Sequence, residues 1–377
     1  GDAATIVPWE MYETYGDIRI LKKCYDMMKK WVEYQSSTDR RNYGVRTVDG
    51  KEVPEQSDLA TIPYIQVQQC RGDHLTYDNS TPYIYSATAY AAHSADILRR
   101  TAYIFGKTDD EKRYTELFEN IKRAFNDAWV NDDGSVSYYG EVSSQTAHCG
   151  ESVALDGSVT RYTYYAENTP HCPSQTAYAL AVDFDLIPKD KLKNTRKYFK
   201  NSILRNNGKL TVGFLGISHL APALSKVGLD DVAFKLLEQE DSPSWLYSVK
   251  NGATTIWERW NSYIAETGTF GDVSMNSFNH YSYGAIGQWF FTDILGIRPV
   301  EFGYKAFMLA PKFGGGLTYA KGSFTSPYGK ISSAWKLHDG KFTYDCTVPT
   351  NTTATLKLPN GDIHTLADGS YHFEINV

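Results

Sequence analysis

The spacing of hydrophobic residues changes once along the chain, near residue 297. Before that point apolar residues recur every three or four positions, which is typical of amphipathic helices. We predict helices at 3–15, 17–35, 83–105, 109–129, 174–184, 188–206, 216–227, 229–239 and 279–295. Short turns join many of them into antiparallel pairs. Residues 1–297 are therefore expected to form a helical domain.

The last part of the chain, residues 298–377, alternates apolar and polar positions instead. The short sequences "PYG", "HDG" and "PNG" interrupt the alternation, and such sequences favour tight turns between antiparallel strands. We predict a small antiparallel β-sandwich here. Helices followed by strands indicate two domains rather than one mixed sheet. The expected fold class is mainly α, with a C-terminal β-sandwich.

Three long segments, 36–82, 130–173 and 240–278, have no clear period and are rich in Gly and Tyr. Long irregular loops on a helical scaffold are often functional. A closed ring of helix hairpins needs an even number of helices, so nine predicted helices leave the ring unfinished. We interpret the helical domain as an (α/α)6 barrel that is N-terminally incomplete in this chain, which opens abruptly at "GDAATIVPWE".

Composition narrows the classes of partner. The net charge of −6 argues against nucleic acid or an anionic membrane, since both call for a basic patch. No apolar run approaches the roughly 20 residues that span a bilayer. Aromatic residues make up 14% of the chain, with 28 Tyr and 8 Trp. Such an excess fits rings that stack on sugars, and it fits a tyrosine-rich core equally well.

The five cysteines are few, scattered and odd in number, so no disulfide framework is expected. Cys149 and Cys172 each follow a histidine, but their spacing matches no zinc signature. A local disulfide or unlinked thiols are the favoured interpretation. We predict no metal and no cofactor.

The segment "TTIWERW" at 254–260 suggests chemistry, because Glu258 and Arg259 lie between Trp257 and Trp260. In a regular helix or strand these charges and rings would fall on incompatible faces. A pocket for a ligand with an apolar face and many hydroxyls would accommodate both kinds of side chain. A sugar is such a ligand.

The sequence around this segment resembles the bacterial α-L-rhamnosidases of glycoside hydrolase family 78. The resemblance covers nearly the whole chain and is most specific from 213 to 335, including "GFLGISHLAPALSKVG", "TTIWERW" and "SFNHYSYGAIGQWFF". It implies an (α/α)6 barrel that bears the active site, followed by a β-sandwich. It also implies an inverting hydrolysis that releases terminal α-L-rhamnose from glycosides or polysaccharides.

By the same resemblance Glu258 is the general base of that hydrolysis. An inverting glycosidase also needs an acid that protonates the departing oxygen, with the two carboxyl groups about 6.5–9.5 Å apart. Arg259, if it turns toward the Glu258 carboxylate, favours the charged form. The alternative is that Glu258 and Arg259 form a buried ion pair that braces the loop.

Further substrate contacts are expected from Trp257 and Arg259, and from Asn279 and His280 in "SFNHY". For His280 the alternative is a helix cap or a satisfied core histidine. A second group of contacts comprises Asp2 in "GDAA", for which a helix N-cap is the alternative, and Asp73 and His74 in "RGDHL". Many family members carry tryptophan at the position of His74, so this sugar subsite is expected to accept a different or more polar ligand.

The general acid of the family lies upstream of "GDAA", in a segment that this chain does not contain. The leading hypothesis is an inverting glycoside hydrolase whose acid lies in that segment, so that residues 1–377 alone are expected to be inactive. A non-catalytic carbohydrate-binding relative is the second hypothesis. A lyase or an unsaturated-glycoside hydrolase is the third, although a lyase would use a Tyr/His pair. The sequence assigns neither an oligomeric state nor a compartment.

Overall fold

The computed structural model describes residues 1–37, 63–66, 72–77, 81–137 and 173–377, and the backbone of four short strands outside these ranges. Contacts divide the chain into two compact units. Unit 1 contains residues 1–31, 97–111 and 286–377, and unit 2 contains 32–96 and 112–285. Each unit is described by itself below.

Nine α-helices of six or more residues lie in the described ranges. They are α1 Ala3–Tyr15, α2 Ile18–Ser36, α3 Tyr83–Ile104, α4 Thr108–Trp129, α5 Gln175–Asp183, α6 Leu192–Leu204, α7 Phe214–Lys226, α8 Asp230–Leu237 and α9 Trp245–Lys250. The first eight confirm eight predicted helices. The predicted helix at 279–295 is a run of a 3-10 turn at Ser282–Ile286, a short α turn at Gly287–Trp289 and a π turn at Phe290–Ile294.

Helix α9 lies inside the predicted loop 240–278, so that part of the loop prediction was wrong. Its six residues are too few to show a helical period in the sequence. Ser244 begins it, because the Ser244 hydroxyl accepts a hydrogen bond from the Tyr247 amide at 3.0 Å. Helix α6 begins four residues later than predicted, because Pro188 opens a separate turn closed by the Lys191 amide.

In unit 2 the helices α3, α5 and α7 run in the same direction. Near their first turns the Tyr85 hydroxyl donates to the Ala177 carbonyl at 2.8 Å, and a side chain at Gly216 would collide with Thr176. Further along, His219 of α7 bonds to Asp183 at the end of α5 at 2.6 Å. The first turns of these three helices therefore lie at one end of the unit.

Fourteen β-strands occur in the described parts of the chain. Six form short hairpins: β1 Val45–Val48 with β2 Lys51–Pro54, β3 Gly150–Val153 with β4 Val159–Tyr162, and β5 Tyr263–Ile264 with β6 Thr269–Phe270. The other eight lie in unit 1: β7 Ile297–Pro299, β8 Ala306–Leu309, β9 Tyr319–Ser326, β10 Gly329–His338, β11 Lys341–Val348, β12 Thr353–Lys357, β13 Ile363–Leu366 and β14 Gly369–Asn376.

These eight strands form two four-stranded sheets, in the orders β14-β11-β10-β9 and β13-β12-β8-β7. The predicted sandwich is confirmed. One pair departs from the predicted antiparallel arrangement, because β12 pairs with β8 in parallel. The chain reaches β12 only after it has built β9, β10 and β11 in the other sheet. That long crossover allows a parallel pair, which a tight turn cannot connect.

The core of the sandwich is aromatic. Trp335 and Phe342 stack with ring centroids 5.9 Å apart, and both are buried. The Trp335 indole donates to the Ile294 carbonyl at 2.9 Å, and the Ser333 hydroxyl donates to the Leu295 carbonyl at 2.7 Å. These bonds satisfy two carbonyl groups that the end of the π turn leaves open, and they fix that turn on the sheet.

No helix in the described ranges is both long and apolar enough to cross a membrane.

Replacing Asp293 with Ala should lower the free energy of unfolding by about 1–3 kcal/mol, measured by urea denaturation. The Asp293 carboxylate is fully buried, accepts from Thr292 at 2.8 Å and pairs with Arg298 and with Lys312, the latter at 3.1 Å. Both cations are partly exposed and regain water, which limits the loss. The exposed pair partner Glu374 is the control. Equal effects of Glu374→Ala and Asp293→Ala would contradict this account.

Candidate active site

Hydrogen bonds to residues 277–280 hold Glu258 in place. The Glu258 amide donates to the Ser277 carbonyl at 2.8 Å, and the Ser277 amide donates back to Glu258 Oε2 at 2.8 Å. Three residues after Ser277, the His280 amide donates to the Ile256 carbonyl at 2.9 Å. These bonds pair the segments 256–258 and 277–280 and fix the carboxylate in one orientation.

The second carboxylate oxygen of Glu258, Oε1, makes no hydrogen bond or ion pair with any residue in the described ranges. The side chain is half-buried. A carboxylate with one oxygen anchored and the other open can accept a proton from a water molecule without first breaking an existing bond.

The two tryptophans of the motif are anchors. Trp260 stacks on Tyr283 with ring centroids 3.9 Å apart, and its indole donates to the Val212 carbonyl at 2.9 Å. Trp257 packs edge-on against Phe278 at 5.1 Å. Both are at least nine-tenths buried, so the rings face the interior and the two charged side chains between them remain at the partly exposed side. The substrate contact expected of Trp257 stays a prediction.

Arg259 does not turn toward Glu258. Its guanidinium Nη2 donates instead to Asp272 Oδ2 at 3.3 Å. The expectation that Arg259 acts on the Glu258 carboxylate was wrong in this structure, and so was the alternative of a Glu258–Arg259 ion pair. The torsions of the Arg259 side chain determine which of the two carboxylates it binds, and these torsions cannot be predicted from the sequence.

Asp272 is a residue that the sequence analysis missed. Its Oδ1 accepts from the Ser274 amide at 2.9 Å and from the Ser274 hydroxyl at 2.6 Å. These hydrogen bonds, and more weakly the charge of Arg259, lower the pKa of Asp272. The signal available in the sequence was an aspartate two residues before a serine, a spacing that is typical of turns closed by the aspartate side chain.

Asp73 lies at the first turn of α7 and is almost fully buried. Its Oδ2 accepts from the Gly213 amide at 2.8 Å and from the Thr176 hydroxyl, and its Oδ1 accepts from the Leu215 and Gly216 amides, each at 2.9 Å. The carboxylate thus satisfies donors that the start of a helix leaves open and sits at the positive end of the helix dipole. Both oxygens are fully engaged by the protein.

Burial raises the pKa of Asp73, and the four hydrogen bonds oppose that rise. All four partners are donors, so a proton on either oxygen would cost one of these bonds. The arrangement suits a carboxylate that positions α7. The substrate contact expected of Asp73 stays a prediction.

The loop at 72–77 lies against the segment before α7. The His74 carbonyl accepts from the Phe214 amide at 2.9 Å, and the Tyr77 amide donates to the Thr211 carbonyl at 2.9 Å. Gly213 is required at this crossing, because a Cβ there would lie 2.3 Å from the His74 carbonyl oxygen.

A stack of rings joins His74 to His280. The His74 ring meets Phe214 edge-on at 5.5 Å, and the His280 ring stacks on the same Phe214 at 4.9 Å. Tyr281, largely exposed, stacks on His280 at 5.5 Å. His74 and His280 are therefore brought together through one phenylalanine.

The tautomer of His280 follows from its hydrogen bond. The Ser282 amide donates to His280 Nδ1 at 3.3 Å, so the neutral ring carries its proton on Nε2. Asn279 is exposed, and its side-chain amide makes no hydrogen bond within the described part of the chain. Both side chains leave polar groups available beside the Glu258 segment.

Tyr283 lies among the charged residues of the site. Its hydroxyl donates to the Leu75 carbonyl at 2.9 Å. Burial raises the pKa of Tyr283; the negative charges of Asp73 and Glu258 add to the rise, and Arg259 opposes it. The charges of all three residues therefore act on one buried phenol.

Asp2 belongs to unit 1, at the start of α1. It occupies the N-cap position but makes no side-chain capping bond there. Its Oδ1 accepts from the Trp31 indole at 3.1 Å. Asp2 is thus the N-cap residue of α1, as the alternative proposed, although its side chain makes no capping bond, and its sugar contact stays a prediction.

The remaining predicted features concern metals and cysteines. Among the described residues no group of three or more His, Cys, Asp or Glu side chains is arranged to hold a metal ion. Cys24 and Cys346 are free thiols. Cys149 and Cys172, and most of the segment 130–173, lie outside the described residues.

Parallel helices whose first turns lie near a half-open carboxylate, in a chain that ends in a β-sandwich, fit the class of helical glycosidases. The chain belongs to the bacterial α-L-rhamnosidases. Residues 1–294 match the bacterial alpha-L-rhamnosidase 6 hairpin glycosidase domain, and residues 296–372 match the bacterial alpha-L-rhamnosidase C-terminal domain.

Similar proteins agree with this family. An α-L-rhamnosidase of Formosa agariphila is 33% identical over 375 residues, which is 99% of this chain and 35% of that protein. One of Streptomyces avermitilis is 34% identical over 360 residues, which is 95% of this chain and 29% of that protein. The chain thus spans about a third of the length of these relatives.

Solved structures show the same fold. The Streptomyces avermitilis α-L-rhamnosidase complexed with L-rhamnose has a TM-score of 0.80 at 31% identity, over 100% of this chain and 33% of that one. The Aspergillus terreus α-L-rhamnosidase has a TM-score of 0.77 at 29% identity, over 100% of this chain and 38% of that one.

Replacing Asp73 with Ala should lower the free energy of unfolding by at least about 3 kcal/mol, because four buried donors lose their acceptor together. Thr176→Val removes one donor only and should cost about 1 kcal/mol. Urea denaturation of both variants measures the difference. A loss for Asp73→Ala no greater than that for Thr176→Val would show that the carboxylate does not hold α7.

Proposed function

We propose that this chain provides the general base of an inverting α-L-rhamnosidase, which releases terminal α-L-rhamnose from glycosides or polysaccharides. One observation carries the proposal: Glu258 has Oε2 fixed by the Ser277 amide and Oε1 without a partner among the described residues. The family membership of both parts of the chain supports the substrate class.

In this mechanism Glu258 Oε1 takes a proton from a water molecule as the water attacks the anomeric carbon. The bond between that carbon and the departing oxygen breaks on the opposite face of the sugar, so the configuration inverts. A second carboxyl group protonates the departing oxygen.

The residues around Glu258 suit a hydroxyl-rich ligand. The Nε2–H of His280 donates, the Asn279 amide both donates and accepts, and Arg259 retains guanidinium N–H groups beyond its bond to Asp272. The rings of His74, Phe214 and Tyr281 supply an apolar surface for the C–H faces of a sugar. We propose that Asp73 acts on this surface indirectly, by fixing the first turn of α7, which carries Phe214.

Changing Glu258 to Gln should abolish hydrolysis of an aryl α-L-rhamnoside by the full-length protein that contains this chain. Glutamine keeps the shape and can still accept from the Ser277 amide, but it cannot accept the proton from water. Loss of a general base typically reduces kcat by at least about 10²–10⁴-fold. Steady-state kinetics measures kcat, and calorimetry should show that binding of L-rhamnose is largely retained.

Glu240→Gln is the matched control, since Glu240 is an exposed carboxylate that pairs with Lys250. Its kcat should stay near that of the unaltered protein. Turnover by the Glu258→Gln protein within a few-fold of the control would remove Glu258 from the mechanism. If the unaltered full-length protein binds L-rhamnose but hydrolyses no rhamnoside, the chain is instead a carbohydrate-binding relative.

Changing His74 to Trp should strengthen L-rhamnose binding by about 2–10-fold, because the indole offers a larger stacking surface than imidazole. Calorimetric titration of the two proteins measures the change. Unchanged or weaker binding would mean that His74 does not border the sugar subsite or that the subsite prefers a more polar sugar.

A further inference from the structure

We propose that Asp272 is a positioning residue, which holds the Arg259 guanidinium away from Glu258 and so keeps the open oxygen of the base unpaired. The proposal rests on the proposed role of Glu258 as general base. It gives the loop at 271–276, which lies outside the motif "TTIWERW", a role in positioning the catalytic group.

The first observation is where Arg259 points. It follows Glu258 directly in the chain, yet its guanidinium bonds to Asp272 Oδ2 at 3.3 Å. The backbone on either side of this bond is fixed through Ser262: the Arg259 amide donates to the Ser262 hydroxyl at 3.1 Å, and the Gly271 amide donates to the Ser262 carbonyl at 3.0 Å. The pair therefore lies between two anchored backbone segments.

The second observation is that Asp272 is itself held rigidly. Both polar hydrogens of Ser274 bond to Oδ1, which leaves Oδ2 for Arg259. Gly271 lets this turn approach closely, because a Cβ there would lie 2.4 Å from the Asn261 carbonyl oxygen. The position of the Asp272 carboxylate is thus set independently of Arg259.

The third observation is that Arg259 has donors to spare. A guanidinium group carries five N–H donors. Within the described residues its side chain makes one hydrogen bond, and its buried Nε is without a partner. The side chain is 18% exposed, so water compensates only in part. Such a group has a strong tendency to engage a second acceptor.

Glu258 is an acceptor of that kind. Arg259 and Glu258 both influence the pKa of the Tyr283 hydroxyl, so both charges lie near the same buried phenol. If Asp272 did not hold it, the guanidinium would be drawn to Oε1. The resulting ion pair would occupy the oxygen that the attacking water needs and would lower the proton affinity of the base.

The charged and titratable groups around Glu258 come from three segments. Arg259 and Asp272 lie on its own loop, His280 and Tyr283 on the segment that pairs with it, and Asp73 on the loop at 72–77. Within this set, Arg259 and Asp272 form an ion pair, so their opposite charges cancel. Removing either member therefore changes the net charge beside Glu258, and the two removals have opposite signs.

The test uses the pH dependence of kcat/KM on an aryl α-L-rhamnoside, measured with the full-length protein. Activity requires the ionised base, so it falls at low pH, where the base is protonated. In Asp272→Asn the acid limb should move to lower pH by about 0.5–1 unit, and the plateau of kcat should fall by about 3–30-fold. Asparagine still accepts from Ser274, so the turn is preserved.

Arg259→Gln should move the acid limb the other way, to higher pH, because an unpaired Asp272 then faces the base. In the double variant both charges are absent, and the limb should return close to that of the unaltered protein. Glu240→Gln, an exposed carboxylate in an ion pair away from this loop, should leave the limb in place.

A limb that stays fixed in Asp272→Asn, or shifts in the same direction in both single variants, would overturn the proposal and leave Asp272 as a brace for the loop. These outcomes are separate from failure of the proposed function. If Glu258→Gln retains activity or keeps the acid limb, the base assignment itself fails. If Glu258→Gln is inactive while Asp272→Asn shows no shift, only the role of Asp272 fails.

Discussion

The buried carboxylate of Asp73 is the contact on which the rest of the candidate site depends. It accepts hydrogen bonds from three backbone amides at the start of α7 and from the hydroxyl of Thr176 on α5. One side chain from a loop thereby fixes the first turns of two parallel helices relative to each other. Burying a charge is costly unless hydrogen bonds compensate. Here four donors do so, and the helix dipole adds to them.

The consequences extend along the backbone from that point. Once Gly213 is fixed, the neighbouring Phe214 is presented to both His74 and His280. On the N-terminal side of Gly213, the Val212 carbonyl accepts a hydrogen bond from the Trp260 indole. This bond orients the loop that carries Glu258. The ring surface and the Glu258 carboxylate are therefore tied to adjacent residues of one segment. A shift of that segment would displace both together.

Much of this architecture could be predicted from the sequence, because it follows from local periodicity. Eight helices and the β-sandwich have repeating patterns that leave few alternatives. Helix α9 lacks enough residues for a period, and the parallel pairing of β8 with β12 depends on a crossover that no turn sequence encodes. The loop that carries Glu258 could also be singled out from the sequence as a candidate site, since two tryptophans beside two opposite charges are unusual in a regular element.

What the sequence could not provide is the direction in which the charged side chains point. Arg259 has a carboxylate as its immediate neighbour and another thirteen residues later, and it takes the distant one. That choice depends on the hydrogen bond from the Gly271 amide to the Ser262 carbonyl, which brings the loop at 271 close to Arg259. This is a tertiary effect. Asp73 is similar, because nothing local distinguishes a carboxylate that binds sugar from one that binds a helix start.

Three carboxylates thus perform three different tasks within unit 2, although their intrinsic chemistry is the same. Asp73 has all its acceptor sites filled by donors of the protein, so it acts as a structural element. Asp272 has both oxygens engaged, one by Ser274 and one by Arg259, so its charge is used to hold a cation. Glu258 alone among the three retains an oxygen with no partner in the described chain. The number of donors that the fold directs at each carboxylate, rather than its residue type, determines which one is available to accept a proton from water.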